Sequence, residues 1–342
     1  MRICIYTTTF YPTIGGMETF VYLLAKEFVT FGDKVTVFTE EKNKNKNKFS
    51  FKVIRSNSFT KKINIFKRHD IVLCVNFTFK GVPAALLSGT KLFINHQIAY
   101  HKAGTISWSE CIWSYIKTRW CLLFDNIAIT KFVSSLLPGR SMIIPNMYND
   151  DIFKRINIKK NKDFIFCGRL VRDKGADVLI NAFSLVLKKY KKSNLTIVGD
   201  GPEYKILKEK SKELGMQKNI QFTGTLTGTI LNKKLNEHYC MIVPSLWNEP
   251  FGIVALEGLA TTEFVISSNK GGLPEVMKNC GQLVEPTPGK LAQSMISFLR
   301  HKKNMNKDKK RKHLERCKLH LFKHSSKYIA KQYLDYFQKE TS

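Results

Sequence analysis

Acidic residues are scarce in this chain. Asp and Glu number 27 against 56 Lys and Arg, leaving a formal net charge of +29 over 342 residues. A surface that basic disfavours cationic partners and favours anionic ones: nucleic acid, an acidic membrane face or a phosphorylated substrate. No apolar run approaches the roughly 18 residues of a bilayer-spanning helix. The longest, such as 71–75 and 240–244, stop far short. The N-terminus holds one early basic residue, Arg2, and an apolar run too short for a signal h-region, so it predicts a first strand. The eight cysteines show no C-x-x-C spacing, which argues against a disulfide framework or a thiolate metal site. Cys4, Cys74, Cys167 and Cys240 sit in apolar strand-like runs, as buried thiols of a reducing cytosol do. No solenoid-type repeat is present.

What is there is an ordinary globular composition, with 43% hydrophobic and 24% charged residues. The length fits two domains at roughly 100–200 residues each. The basic excess is densest in 301–342, with 13 basic and 4 acidic residues. Part of it reads as a lysine- and asparagine-rich bias, as in the alternating run 42–48.

Strand-like and helix-like segments alternate. Residues 2–7 predict a strand, 8–16 a turn-rich loop with Pro12 and Gly15-Gly16, and 34–38 the next strand. Between them, Phe20, Leu23, Leu24, Phe28 and Phe31 give 17–31 helical periodicity, closed by Gly32. That is a βαβ unit, the element of parallel sheets covered by helices. Further strands are expected at 71–75, 91–95, 126–130 and 141–144, and an aromatic, partly basic helix at 108–124. After a linker at 144–150, a second series has strands at 163–167, 195–198, 220–222, 240–243 and 264–266. Its helices fall at 176–188, 203–214, 229–237, 252–260 and 291–300, and a last amphipathic helix at 326–338. The expected fold is α/β: two Rossmann-like doubly wound parallel-sheet domains facing a cleft, with ligands at the C-terminal ends of the strands.

The residues with chemistry lie in the loops after strands. In 243–260 a strand ends at Pro244, a loop presents Glu249, and Phe251-Gly252 opens a helix whose free N–H groups suit an anion. Glu257 lies inside that helix. On one helix, residues eight apart would stand about 80° off a shared face. Because Glu249 precedes the helix, both carboxylates can reach one ligand, and sugar or ribose hydroxyls are natural partners. In 168–175, Arg169 and Lys174 bring two cations to another helix start, a chemistry that suits a diphosphate. The P-loop spacing fails there, with Asp173 in place of the second glycine and Gly175 in place of Ser/Thr. The turn 198–204 mimics G-x-G-x-x-G but carries Tyr204 at the last position. Lys270-Gly271-Gly272 offers flexible amides, Gly15 and Gly16 allow close backbone approach, and His96 follows the strand 91–95.

Taken together, Gly15-Gly16-Met17-Glu18, Gly168-Arg169-Leu170 with Lys174-Gly175, Val198-Gly199-Asp200-Gly201-Pro202, Phe222-Thr223-Gly224, Glu249-x7-Glu257 with Pro250-Phe251-Gly252, and Gly271-Gly272-Leu273-Pro274-Glu275 resemble the group-1 (GT4) retaining glycosyltransferases of GT-B fold. The resemblance spans nearly the whole chain and is most specific in 163–285. It implies residues 1–148 as an acceptor-side domain, 149–322 as the nucleotide-sugar domain, and 323–342 as a helix crossing back to the first. It implies that Arg169 and Lys174 neutralise the donor diphosphate and that Glu257 holds the ribose hydroxyls. Glu249 would contact the transferred sugar, with amides of Phe251, Gly252, Ile253 and Val254 on sugar and phosphate. Gly15 and Gly16 would line the phosphate and acceptor side, and His96 would sit beside the sugar. Where the family often has I-P-N-G, this chain has Ile144-Pro145-Asn146-Met147.

The implied activity is transfer of a hexose or related sugar to a glycan or lipid-linked saccharide with retention of configuration, in cell-surface polysaccharide or lipopolysaccharide synthesis. No cofactor is expected. The chain has no D-x-D, so no metal-bridged diphosphate is expected either. The expected location is the cytoplasm. An anionic membrane face is a candidate partner, through the charge and the 108–124 aromatic stripe with Lys117 and Arg119. Three rivals stay open on sequence grounds: a basic nucleic-acid-binding protein, an NAD-dependent oxidoreductase, and a phosphorylase or epimerase. The first lacks a recognised nucleic-acid module, and the second lacks an intact dinucleotide fingerprint.

Overall fold

The computed structural model describes residues 1–13, 15–42, 48–99, 115–117, 119–304 and 306–341. Two units emerge: Met1–Met147 with His324–Ser342, and Tyr148–Lys323.

The first unit runs β1 (Arg2–Thr7), α1 (Gly16–Thr30), β2 (Lys34–Thr39), β3 (Lys52–Arg55), α2 (Phe59–Phe66), β4 (Ile71–Val75), α3 (Val82–Ser88), β5 (Lys91–His96), β6 (Asp125–Ala128), α4 (Lys131–Ser135) and β7 (Met142–Ile143). The seven strands are parallel in the order β3-β2-β1-β4-β5-β6-β7. Strands covered on both faces have no polar side to spare, and Ile71–Val75 is buried at every position. Phe20, Leu23, Leu24 and Phe28 turn the apolar stripe of α1 into the core.

The second unit runs β8 (Lys162–Cys167), α5 (Ala176–Lys189), β9 (Leu195–Val198), α6 (Tyr204–Glu213), β10 (Ile220–Gly224), α7 (Gly228–Asn236), β11 (His238–Val243), α8 (Ile253–Thr261), β12 (Phe264–Ser268), α9 (Leu273–Met277), β13 (Gln282–Val284), α10 (Pro288–Asn304) and α11 (Lys307–Phe322). Its six parallel strands take the order β10-β9-β8-β11-β12-β13. The order reverses between β8 and β11. The loops that leave those two strands therefore diverge around a crevice at the sheet's C-terminal end.

The chain then returns to the first unit as α12 (Ser326–Thr341). Phe337 packs on Phe93 and Phe28 with ring centroids 4.6 and 6.1 Å apart, and Asn95 Nδ2 donates to Tyr333 Oη at 2.7 Å. The helix is thus part of the first unit's core.

Several elements depart from the sequence reading. β3 and β13 are edge strands of four and three residues, too short for periodicity to stand out. Helices α2, α3, α4 and α9 have eight residues or fewer, too few turns for helical periodicity to stand out, and fall where the sequence reading expects no element. α11 is so lysine-rich that its apolar stripe is masked. Of the expected 108–124 helix, residues 108–114 and 118 lie outside the described residues, 115–117 and 119–121 are helical, and 122–124 form a turn. No described helix is long and apolar enough to cross a membrane.

Candidate functional site

In the second unit, the loops leaving the strands are knitted to one another by backbone hydrogen bonds. Leu170 N donates to Asp200 O (2.9 Å), Leu246 N to Asp173 O (2.8 Å), and Gly272 N to Glu249 O (2.7 Å). Two glycines make this closeness possible. Gly175 has φ +70°, and a Cβ there would lie 2.1 Å from Pro244 O. Gly271 has φ +57°, and a Cβ would lie 2.3 Å from Glu249 O. Side chains at either position would force the loops apart.

This backbone frame brings Lys174 and Glu249 into direct contact. Lys174 ends a short 3₁₀ turn, Arg172–Lys174, and its Nζ donates to Glu249 Oε1. Ser245 Oγ donates to the same oxygen at 2.9 Å. The Lys174 ammonium also lies 5.6 Å from the centre of the Trp247 ring. Glu249 is only 6% exposed. Its second oxygen, Oε2, has no hydrogen-bond partner among the described residues. Burial of a carboxylate demands a cation or several donors, and Lys174 with Ser245 supplies them on one oxygen only. Arg169 is exposed, and its guanidinium makes no hydrogen bond or ion pair among the described residues.

Phe251 is buried and Gly252 is the N-cap of α8 at φ +92°. The helix begins with Ile253 and Val254, whose N–H groups fall in the first turn and have no carbonyl four residues back to accept them. The far end of α8 is anchored. Lys160 Nζ donates to Thr261 O (2.9 Å), Asn236 O (2.8 Å) and His238 O (3.1 Å), and Arg155 donates to Thr262 O (2.8 Å). Glu257 sits one turn into α8, half-buried and without a hydrogen bond to its carboxylate among the described residues. Desolvation pushes this carboxyl up to about 7.

The remaining sequence candidates belong to the first unit. Gly15 caps α1 in an extended conformation and Gly16 is its first residue. The carboxylate of Glu18 lies over Gly15, 2.5 Å from where a Cβ would be, and accepts from Thr9 Oγ1 at 2.7 Å. The start of α1 thus already carries a protein carboxylate. His96 is the last residue of β5 rather than the first beyond it, and it is 0% exposed. Its Nε2 donates to Asn126 Oδ1 at 2.8 Å, and burial pushes the imidazole down to about 4. It is therefore a neutral, structurally held ring in this structure.

Sequence reasoning missed Ser245 and Trp247 as partners of the Glu249–Lys174 pair, although both stand in the motif already singled out. It also missed a charge cluster at the C-terminal ends of β1 and β2. There Glu40 accepts from Tyr6 Oη (2.8 Å), from Lys80 Nζ (3.0 Å) and from the buried Lys62 Nζ. Only the fold brings these together. Trp247 Nε1 and Ser268 Oγ are buried without a hydrogen-bond partner among the described residues. Among those residues no group of three or more His, Cys, Asp or Glu is arranged to hold a metal ion.

Comparison with known proteins bears on the family and the fold. Residues 149–316 match the family of glycosyl transferases group 1. A phosphatidylinositol N-acetylglucosaminyltransferase subunit of Arabidopsis thaliana is 23% identical over 333 residues, covering 86% of this chain and 73% of that one. A glycosyltransferase of Rickettsia africae superposes with a TM-score of 0.80 at 20% identity, covering 99% of this chain and 98% of the other. The Anabaena protein HepE, solved with UDP and glucose, superposes with a TM-score of 0.82 at 16% identity, covering 99% and 100%. Two Rossmann-like parallel sheets, the knitted loop frame of the second and the family match lead to one conclusion: residues 149–316 belong to the group 1 glycosyltransferases, and the chain has the GT-B fold.

Proposed function

We propose that this glycosyltransferase moves a sugar from a nucleoside-diphosphate donor to a glycan or lipid-linked saccharide acceptor, as a retaining GT4-type enzyme. The observation that carries the reading is the contact of Lys174 with Glu249 beside the start of α8, with the desolvated Glu257 on the same helix. A diphosphate requires cations and N–H donors, which Arg169, Lys174 and the first turn of α8 supply. Hydroxyl groups require acceptors, which the open Oε2 of Glu249 and the Glu257 carboxylate supply.

In the proposed reaction the bond from the sugar's anomeric carbon to the donor phosphate oxygen breaks, and a bond from that carbon to an acceptor hydroxyl oxygen forms. The hydroxyl proton passes to a phosphate oxygen of the leaving nucleoside diphosphate. Arg169 and Lys174 stabilise the negative charge that grows on that group, and Glu249 orients the sugar as it acquires oxocarbenium character. Release of Lys174 from Glu249 toward phosphate would leave Glu249 open to sugar hydroxyls, so the pair is a resting form of both contacts. His96 has no assigned step, because it has no exposed surface.

The similar proteins suggest the first donors to test. The Arabidopsis relative is named for N-acetylglucosaminyl transfer to phosphatidylinositol, and HepE was solved with UDP and glucose. The experiment is a thermal-shift panel of UDP-, GDP- and ADP-sugars on the native chain and on Arg169→Ala. A ligand that binds only the native state raises the melting temperature. One nucleotide series should stabilise the native chain strongly and the variant weakly. Equal, negligible shifts across the panel would remove the donor assignment. Product NMR then reads the anomeric configuration, and an inverted linkage would remove retention.

A further inference from the structure

We propose that the exposed face of α11 docks on an anionic lipid surface. This deepens the lipid-linked acceptor reading by assigning the element of the second unit that meets the membrane.

α11 is amphipathic in an unusual sense. Its inner face is held by the unit: His320 Nε2 bonds Val276 O at 2.7 Å, Lys310 pairs with Glu263 at 2.6 Å, and Cys317 Sγ reaches Cys280 O at 3.5 Å. Its outer face carries Leu319 at 70% exposure and Phe322 at 63%, one helical turn apart. Around them Lys312, Lys318 and Lys323 are exposed, while the Arg316 guanidinium turns to His313 Nδ1 at 3.1 Å. The two acidic residues of the helix are turned to Arg311, which lies 3.6 Å from Asp308 and 4.0 Å from Glu315. Among the described residues, Lys312, Lys318 and Lys323 pair with no acid on this helix.

Two large apolar side chains inside a ring of cations match an interfacial helix. The apolar tips enter the boundary between headgroups and acyl chains, and long Lys and Arg stems reach back to the phosphates. A protein partner fits less well, because the centre of a protein interface is depleted of lysine and needs a broader apolar patch. The inner side of α11 packs on α8, the helix that carries Glu257. Docking would therefore hold the proposed donor helix one helix-layer from the lipid surface.

The test is co-sedimentation of the full chain with vesicles of phosphatidylcholine mixed with phosphatidylserine, and with phosphatidylcholine alone, at about physiological salt. The chain should pellet with the mixed vesicles only. The double variant Leu319→Ser with Phe322→Ser should weaken association on the order of tenfold or more, without lowering the melting temperature or the shift produced by the nucleotide donor. Lys312→Glu with Lys318→Glu should do the same through charge. No pelleting of the native chain overturns the proposal, as does pelleting that survives both double variants. If the apolar variant instead converts a dimer to a monomer in sedimentation velocity and vesicles are ignored, the face joins two copies and the lipid assignment falls. Vesicle binding with no nucleotide response would sink the donor reading and leave this one standing.

Discussion

Lys174 and Glu249 illustrate how one side chain sets the worth of another. Glu249 is buried, and replacing Lys174 by Met would leave its carboxylate with Ser245 alone. Breaking such a pair costs up to 3–5 kcal/mol in a dry interior, and the partly exposed ammonium lowers the expected loss to about 1–3 kcal/mol. Chemical denaturation should register that loss, and initial-rate assays should show turnover down by about 10²-fold or more. Glu257 predicts a pH signature. Its folded value, about 7, lies above the ordinary 4.5, so between those values the native state keeps a proton that the unfolded chain releases. Stability should fall across that window and level off above it. Glu257→Gln should remove the decline, gaining about 1–3 kcal/mol on the native chain by pH 8. Hydroxyl donors favour the ionised carboxylate, so donor affinity should rise between about pH 6 and pH 8 in the native chain and stay flat in the variant. The spacing of Glu249, Glu257, Arg169 and Lys174 was readable from sequence, because loop and helix neighbours are fixed locally. The contact between Lys174 and Glu249, 75 positions apart, was not, and neither was the complete burial of His96.

Single elements differ in how much they constrain the loops they carry. Gly32 and Gly175 both have positive φ, +92° and +70°. A Cβ on Gly32 meets nothing within 4 Å, whereas one on Gly175 meets Pro244 O at 2.1 Å. Gly32→Ala should therefore cost about 1 kcal/mol of backbone strain and leave donor affinity alone. Gly175→Ala should cost at least about 2 kcal/mol and weaken donor binding about tenfold, as thermal melts and calorimetry would reveal. Equal effects of the two changes would contradict the interlocked-loop account. The same contrast explains what was legible among elements. The strand Ile71–Val75 and the helix α1 announce themselves by burial and period. β13, three residues long, and the lysine-rich α11 are fixed by neighbours that no local pattern contains.

At the scale of the molecule, the chain passes from the first unit to the second at Met147 and returns at His324. The return delivers Ile329, Tyr333, Leu334 and Phe337 to the core of the first unit. A chain truncated after Lys323 should lose the melting transition of that unit, while the unit Tyr148–Lys323 keeps its own transition and its response to nucleotide. Differential scanning calorimetry with and without donor would separate the two, and an unchanged two-unit profile would contradict the assignment of α12 to the core. The basic excess was legible as a total, but its use was not. Arg311 is offset by Asp308 and Glu315, whereas Lys312 and Lys318 stand exposed, and only the folded helix separates the two cases. The returning helix also sets an order of events during synthesis. Residues 324–341 leave the ribosome after every part of the second unit, so the half of the protein translated first is the half completed last. Until then its sheet waits with an apolar face uncovered, and a nascent-chain chaperone would find its binding surface there rather than on the part made later.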